Sequence, residues 1–295
     1  MTSPSPPASL LPWAESALNV SGHGGASEMS PVAGDASSRS YFRAHIGGRK
    51  YVLAHAPPAT EKNAAFVAFD ILRKLATADI RNGTLPPYDD ALLREEFGRF
   101  DTWFVQALLE YRPGADAVSA CAGLCDVLVE AALEQPRVLV HRDFHSRNLM
   151  LTGDGALAVI DFQDAVAGPL TYDLVSLLRD CYIRWPGEQV RQWALAYRGL
   201  LLRASVAEVP DEARFLRWFD LMGLQRHIKV LGTFARLALR DGKSAYLNDL
   251  PLVLAYVEEI LARYAASEPA IARFRDWYTA DILPLVEAQA WSRRG

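Results

Sequence analysis

Asp143, Asn148 and Asp161 have the side-chain types, at the spacing, that phosphoryl transfer uses. They lie in Val138-Leu-Val-His141-Arg142-Asp143-Phe144-His145-Ser146-Arg147-Asn148-Leu149 and in Ile160-Asp161-Phe162-Gln163. That chemistry needs a base beside the attacking hydroxyl and oxygen ligands for the magnesium on the transferring phosphoryl group. Asp143 is the candidate base, and Asn148 and Asp161 are the candidate magnesium ligands. Asp in a loop often only caps backbone groups, so a lone His-Arg-Asp would mean little. Here the five-residue offset from Asp143 to Asn148 comes with an apolar strand–turn–strand and a second Asp-Phe-Gln.

The flanking pattern must position these groups. An apolar strand is expected to end at His141, with Asp143 in the loop that follows. Asn148 to Leu151 reads as a second strand, Thr152-Gly-Asp-Gly155 as a turn, and Ala156 to Ile160 as a third strand ending at Asp161. A tight hairpin brings its open ends together, so Asn148 and Asp161 are expected side by side.

Upstream, 10–20 reads as a short helix, and the Gly-rich 21–27 lacks the spacing and the Lys of a P-loop. Strands are expected at 40–46 and 50–55 around a Gly47-Gly48 turn. The small, polar loop Gly34 to Arg39 precedes them. Such a loop can fold over nucleotide phosphates and donate backbone N–H groups, or be an ordinary hairpin tip. Helices are expected at 64–75, 90–111, 115–134, 170–183, 187–203, 213–240, 246–265 and 270–290. The division is a small β-rich part over 1–84 and a large helical part over 85–295.

Composition narrows the class. The net charge of −4 lacks the basic excess of a dedicated nucleic-acid binder. No apolar run approaches the roughly 20 residues that span a bilayer, and the N-terminus lacks signal-peptide features. A cytoplasmic protein with no membrane or obligate protein partner is the expectation. Cys121, Cys125 and Cys181 form neither a disulfide framework nor a CxxC site, and read as small buried hydrophobes.

His141-Arg-Asp143…Asn148 with Ile160-Asp161-Phe162-Gln163-Asp164 resembles the aminoglycoside phosphotransferase/choline kinase branch of the kinase-like fold. Further segments are similar to a narrower group within it, bacterial kinases of the anomeric hydroxyl of amino sugars. These are Gly34-Asp35-Ala36-Ser37, Tyr41-Phe42-Arg43, Asp161 to Ala165 with Gly168-Pro169…Thr171-Tyr172-Asp173-Leu174, and Met222 to Lys243. They occur in the same order and span about residues 30–260. The resemblance implies an α+β, protein-kinase-like two-lobe fold with a small β-rich N-lobe and a large, mainly helical C-lobe. It implies ATP and Mg2+ as cofactors, and N-acetylmuramate or N-acetylglucosamine as the small-molecule partner, phosphorylated at the anomeric position in peptidoglycan recycling.

On that basis Asp143 takes the proton of the attacking hydroxyl, and Asn148 and Asp161 hold magnesium. His141 supports the loop by hydrogen bonding. Arg147 meets either a phosphate or a surface carboxylate. Asp173 would by default cap its helix, and the resemblance adds the bracing of the catalytic loop. Asp35, Ser37, Ser38 and Arg43 are candidate nucleotide contacts. His145, Arg226, His227 and Lys229 are candidate substrate contacts. The spacing puts Arg226 and Lys229 on one helical face, which reads as an ordinary solvated face or as a cationic subsite for a lactyl carboxylate. Trp185, Trp193 and Trp218 read as core more than as sugar platforms.

Two departures stand out. Protein kinases grip the α- and β-phosphates with a strand Lys, and Ala54 occupies that place. Arg43 or Lys50 could substitute. Between Pro58 and Leu85 there is room for one helix and a linker, whereas the resemblance implies more sheet and a hinge strand that binds adenine. Either the sequence omits several tens of residues of the natural chain here, or the N-lobe is truncated. The gap leaves open a non-catalytic sugar-binding relative as an alternative. A kinase of aminoglycosides or other small hydroxyl compounds is the second alternative, disfavoured by the Arg and Lys over 213–243.

Overall fold

The computed structural model describes residues 29–32, 40–46, 49–55, 64–80, 83, 85–151, 157–206 and 208–293. It divides into two compact units, Met1–Ala68 and Phe69–Gly295. The division falls inside the first helix rather than at the expected 84/85 linker. Phe69 and Leu72 of that helix, both within the second unit, are buried, and Phe69 meets Tyr197 of the same unit at 5.9 Å between ring centroids.

The first unit contains one antiparallel sheet in the order β1 (Ser30–Val32), β2 (Ser40–Ile46) and β3 (Arg49–His55). Ile46 pairs with Arg49 and Tyr41 with Ala54, so both expected strands form in the expected register. The expected helix over 10–20, the phosphate loop with Asp35, Ser37 and Ser38, and the Gly47-Gly48 turn lie outside the described residues. Arg43 stands opposite Ser30 and Val52 through its backbone, and its side chain lies outside them. Helix α1 (Ala64–Ala76) follows and crosses into the second unit.

The second unit is built around one long helix. Helices α2 (Asp90–Arg99), α3 (Ala115–Leu133), α4 (Tyr172–Leu178), α5 (Gly187–Arg203), α6 (Glu212–Leu239), α7 (Leu250–Tyr264), α8 (Pro269–Trp277) and α9 (Leu283–Glu287) make up its bulk. The 28 residues of α6 run about 42 Å at the rise of an α-helix. Every residue from Trp218 to Ile228 is buried, which requires neighbours on all sides. Those neighbours include α2, α3, α4, α5 and α7. No helix among the described residues is long and apolar enough to cross a membrane.

Local departures from the expected helices have physical causes. After α2 the backbone widens into a π-helix, Phe100–Leu108. Gly232 of α6 lies against this junction so closely that a Cβ there would sit 2.3 Å from the Arg99 carbonyl carbon and oxygen. The C-terminal helix is divided by a second π segment, Tyr278–Ile282, ahead of Pro284. Helix α4 covers only Tyr172–Leu178 of the expected 170–183, because the following Asp180 caps the turn by accepting from Tyr182 N–H at 3.1 Å. At its start, the Gln135 side chain accepts from Thr171 N–H and Oγ1–H at 3.1 and 2.9 Å.

The strands around Asp143 form two small sheets rather than one three-stranded insert. β5 (Leu149–Leu151) and β6 (Leu157–Val159) make the expected hairpin. Strand β4 (Arg137–Val140) pairs instead with β7 (Val166–Pro169), for which no strand was expected. Tyr88 N–H donates to the Ala167 carbonyl at 2.9 Å, so the segment before α2 docks on the edge of β7.

Candidate active site

The loop between β4 and β5 carries the candidate base. Asp173, at the start of α4, is buried, and its two carboxylate oxygens accept from the backbone N–H groups of His141 at 2.6 Å and Arg142 at 3.0 Å. It does not cap its own helix. Burial pushes its carboxyl up to about 7, against the two N–H donors and Arg226, which favour the ionised form. Arg142 has φ +75°, a left-handed conformation that an L side chain rarely takes. Asp143 follows directly. Its carbonyl accepts from His145 N–H at 3.0 Å, and a 3-10 turn, Ser146–Asn148, completes the loop. Asp180 fixes that turn by accepting from Ser146 N–H at 2.9 Å.

Asn148 joins the three candidates. Its Nδ2 donates to the Asp143 carbonyl at 3.0 Å and lies 3.4 Å from Asp161 Oδ2. With the amide nitrogen used this way, Oδ1 is the atom Asn148 has left to offer a cation. Ile160 N–H donates to the Asn148 carbonyl at 3.1 Å, so hairpin pairing extends to the residue before Asp161. Asp161 has φ +70°, and its Oδ1 accepts from Gln163 Nε2 at 2.6 Å. A carboxylate oxygen and an amide oxygen are the hard donors magnesium takes, with room for phosphate oxygens and water in the remaining positions. Three apolar side chains near Asp161 are exposed, those of Met150, Ile160 and Phe162.

The expected supporting residues fall into different environments. His141 is buried, packs edge-on against Phe144 at 6.0 Å and has the Ile160 backbone beside its ring. Burial lowers its pKa. Arg147 stacks on Tyr182, its guanidinium carbon 3.3 Å from the ring centroid. His145 meets the same ring edge-on at 5.5 Å, and burial, with Arg226 beside it, lowers its pKa. The Nδ1 of His145 has no hydrogen-bond partner among the described residues.

The Arg226, His227 and Lys229 cluster is not a solvated face. Arg226 is buried and donates to Cys181 Sγ at 3.3 Å. His227 is fully buried, donates to the Arg179 carbonyl at 3.0 Å and stacks on Tyr256 at 4.8 Å. Burial lowers its pKa to about 3. Lys229 donates to Glu96 at 2.8 Å and to Tyr172 OH at 3.0 Å. Glu96, buried on α2, and Asp180 are the residues sequence reasoning missed. The available signal for Glu96 was a charge on the apolar face of Leu93, Phe97 and Phe100. Of the tryptophans, Trp218 is buried, and Trp185 meets Trp193 edge-on at 5.3 Å.

A base candidate, an adjoining amide–carboxylate pair and a buried brace are the parts of a phosphotransferase loop, and the model of the phosphotransferase enzyme family matches residues 68–216. The chain belongs to this family. Its protein-kinase-like fold divides accordingly into a small sheet and a mainly helical unit. Among known phosphotransferases, the N-acetylmuramate/N-acetylglucosamine kinase of Pseudomonas aeruginosa is 35% identical over 287 residues, covering 80% of this chain and 84% of its own. The Pseudomonas putida kinase of the same name is 35% identical over 300 residues, covering 83% and 87%. That of Neisseria meningitidis is 44% identical over 194 residues, covering 65% and 57%. The first alignment has 287 positions, whereas 80% of 295 residues is about 236, so about 50 of its positions face no residue of this phosphotransferase.

Proposed function

We propose that this phosphotransferase is a magnesium-dependent kinase that moves the γ-phosphoryl group of ATP to the anomeric hydroxyl of N-acetylmuramate or N-acetylglucosamine, giving the sugar 1-phosphate for cell-wall recycling. One observation carries the chemistry: Asn148 bridges the Asp143 backbone and the Asp161 carboxylate. The similarity to kinases named for these two sugars supports the acceptor.

Asp143 accepts the proton of the anomeric hydroxyl as its oxygen bonds to the γ-phosphorus. The bond from that phosphorus to the β–γ bridging oxygen breaks, and ADP leaves with the electron pair. An anomeric hydroxyl is more acidic than an ordinary alcohol, so a carboxylate suffices as base. Asn148 Oδ1 and Asp161 hold the magnesium ion, whose charge offsets that of the phosphates when it is bound. His145 and Arg147 both pack against Tyr182 and are the side chains this reading offers for the sugar.

The test is coupled ADP release across amino sugars, aminoglycosides and choline, with Asp143→Asn as control. Turnover of the amino sugars to an acid-labile phosphate is expected. Turnover that survives Asp143→Asn defeats the mechanism, and an acid-stable product defeats the anomeric assignment.

A further inference from the structure

The candidate base follows a residue whose backbone is held in an unfavourable conformation from two sides. On one side, Asp173 binds the N–H groups of His141 and Arg142. On the other, the Arg142 guanidinium donates to Glu96 Oε1 at 2.5 Å and lies over the Tyr88 ring at 5.9 Å. Glu96 is completely buried. Lys229 Nζ is 2.8 Å from the same oxygen, and Tyr88 OH donates to the other. Lys229 is fixed in turn by Tyr172, whose ring meets Tyr88 edge-on at 5.3 Å.

A buried ion cluster is weak evidence for stability, because desolvation consumes much of the attraction. Its location is the informative part. A residue with a Cβ persists at positive φ only where surrounding contacts over-determine it. Arg142 at φ +75° sets the direction in which the chain enters Asp143. Burial alone would raise the Glu96 carboxyl, but Lys229 and Arg142 outweigh it and hold Glu96 below the ordinary range, so it stays an acceptor for both cations.

We propose that Glu96 and Lys229 are positioning residues for phosphoryl transfer: they anchor the Arg142 side chain and thereby hold its left-handed backbone and the aim of Asp143. This rests on the proposed base role of Asp143. Lys229 then serves catalysis from within the core of the helical unit and not as a sugar contact.

The test compares Arg142→Ala with Arg142→Gly. Both remove the guanidinium, but only glycine adopts positive φ without steric penalty. If the anchor exists to hold the backbone, Arg142→Gly keeps about tenfold more kcat than Arg142→Ala, since misaimed groups cost one to two orders of magnitude. The KM for sugar stays within about twofold in both. Glu96→Gln and Lys229→Met lower kcat by a similar factor without raising the sugar KM. A purely structural cluster predicts the reverse order, because glycine also loosens the unfolded chain. A kcat for Arg142→Gly at or below that of Arg142→Ala overturns the proposal, and the arginine pair decides it even where Glu96→Gln fails to fold. Basal ATP hydrolysis of the same pair is read alongside. A wild type that phosphorylates no amino sugar defeats the acceptor assignment, while the glycine–alanine ratio in hydrolysis still decides the positioning role.

Discussion

Asp173 Oδ1 accepts the backbone N–H of Arg142 at 3.0 Å, across 31 residues of sequence. The partner oxygen takes His141 N–H, so one buried carboxylate satisfies two consecutive donors of the catalytic loop. Asp173→Asn keeps the size but can accept only one of them and turns an NH2 toward the other. An unsatisfied buried donor costs about 1–3 kcal/mol. Urea unfolding should show a loss of that order. Steady-state kinetics should show kcat lower by about a hundredfold with sugar KM little changed, since only the aim of the loop is lost. A rise in KM at constant kcat would contradict this role.

Asp161 is exposed, with its carboxylate beside Asn148, so its removal should affect metal binding more than folding. Asp161→Asn should raise the magnesium concentration for half-maximal rate by about tenfold or more, a loss at least as large as that from removing groups one layer out from a metal. The melting temperature should stay within about 2 °C of wild type, as a surface change of a few tenths of a kcal/mol allows. Titrating activity with MgCl2 at fixed ATP tests the assignment. An unchanged magnesium curve would remove Asp161 from the ligand set.

His227 is buried and neutral, with its pKa lowered by burial to about 3 from an ordinary 6.5. Between those values the unfolded chain binds the extra proton, so the His227 contribution is complete above about pH 6.5 and is lost as pH falls toward 3. The limiting slope is about 1.4 kcal/mol per pH unit. Asp173, whose carboxyl is raised, contributes with the opposite sign over roughly pH 4–7. The informative quantity is therefore the difference between wild type and His227→Phe. The variant loses the bond to the Arg179 carbonyl, and its deficit measured by urea unfolding should shrink steadily from pH 7 to pH 5. A deficit independent of pH would mean that His227 titrates alike in the folded and the unfolded chain.

Gly232→Ala places a Cβ 2.3 Å from the Arg99 carbonyl group and 2.5 Å from Phe100 N, and all of these are backbone atoms. Backbone cannot step aside as a side chain can, so α6 and the π-helical junction must separate. A loss of about 1–3 kcal/mol or more is expected, read as a fall in melting temperature. A variant as stable as wild type would show that the two helices are not in such close contact.

The parts of this chain legible in sequence are those set by neighbours along it. Alternating apolar residues around Thr152 to Gly155 gave the β5–β6 hairpin, and with it the closeness of Asn148 to Asp161. The pairing of β4 with β7 was hidden because Val166-Ala-Gly-Pro169 is short and ends in turn-forming residues, and only a distant strand makes it extended. Helical spacing put Arg226 and Lys229 on one face, but what meets Lys229 depends on α2, whose Glu96 comes 133 residues earlier. A separation of 31 residues hid the Asp173 brace from any local rule except capping, which it does not perform.

The run from Trp218 to Ile228 has no solvent-facing side. On an ordinary surface helix roughly half the positions can drift without consequence, and they act as a reservoir from which new binding preferences are drawn. Helix α6 has no such reservoir over three turns. Variation in this protein should therefore collect on less buried side chains, such as His145 and Arg147 around Tyr182, while the central helix stays fixed as the frame.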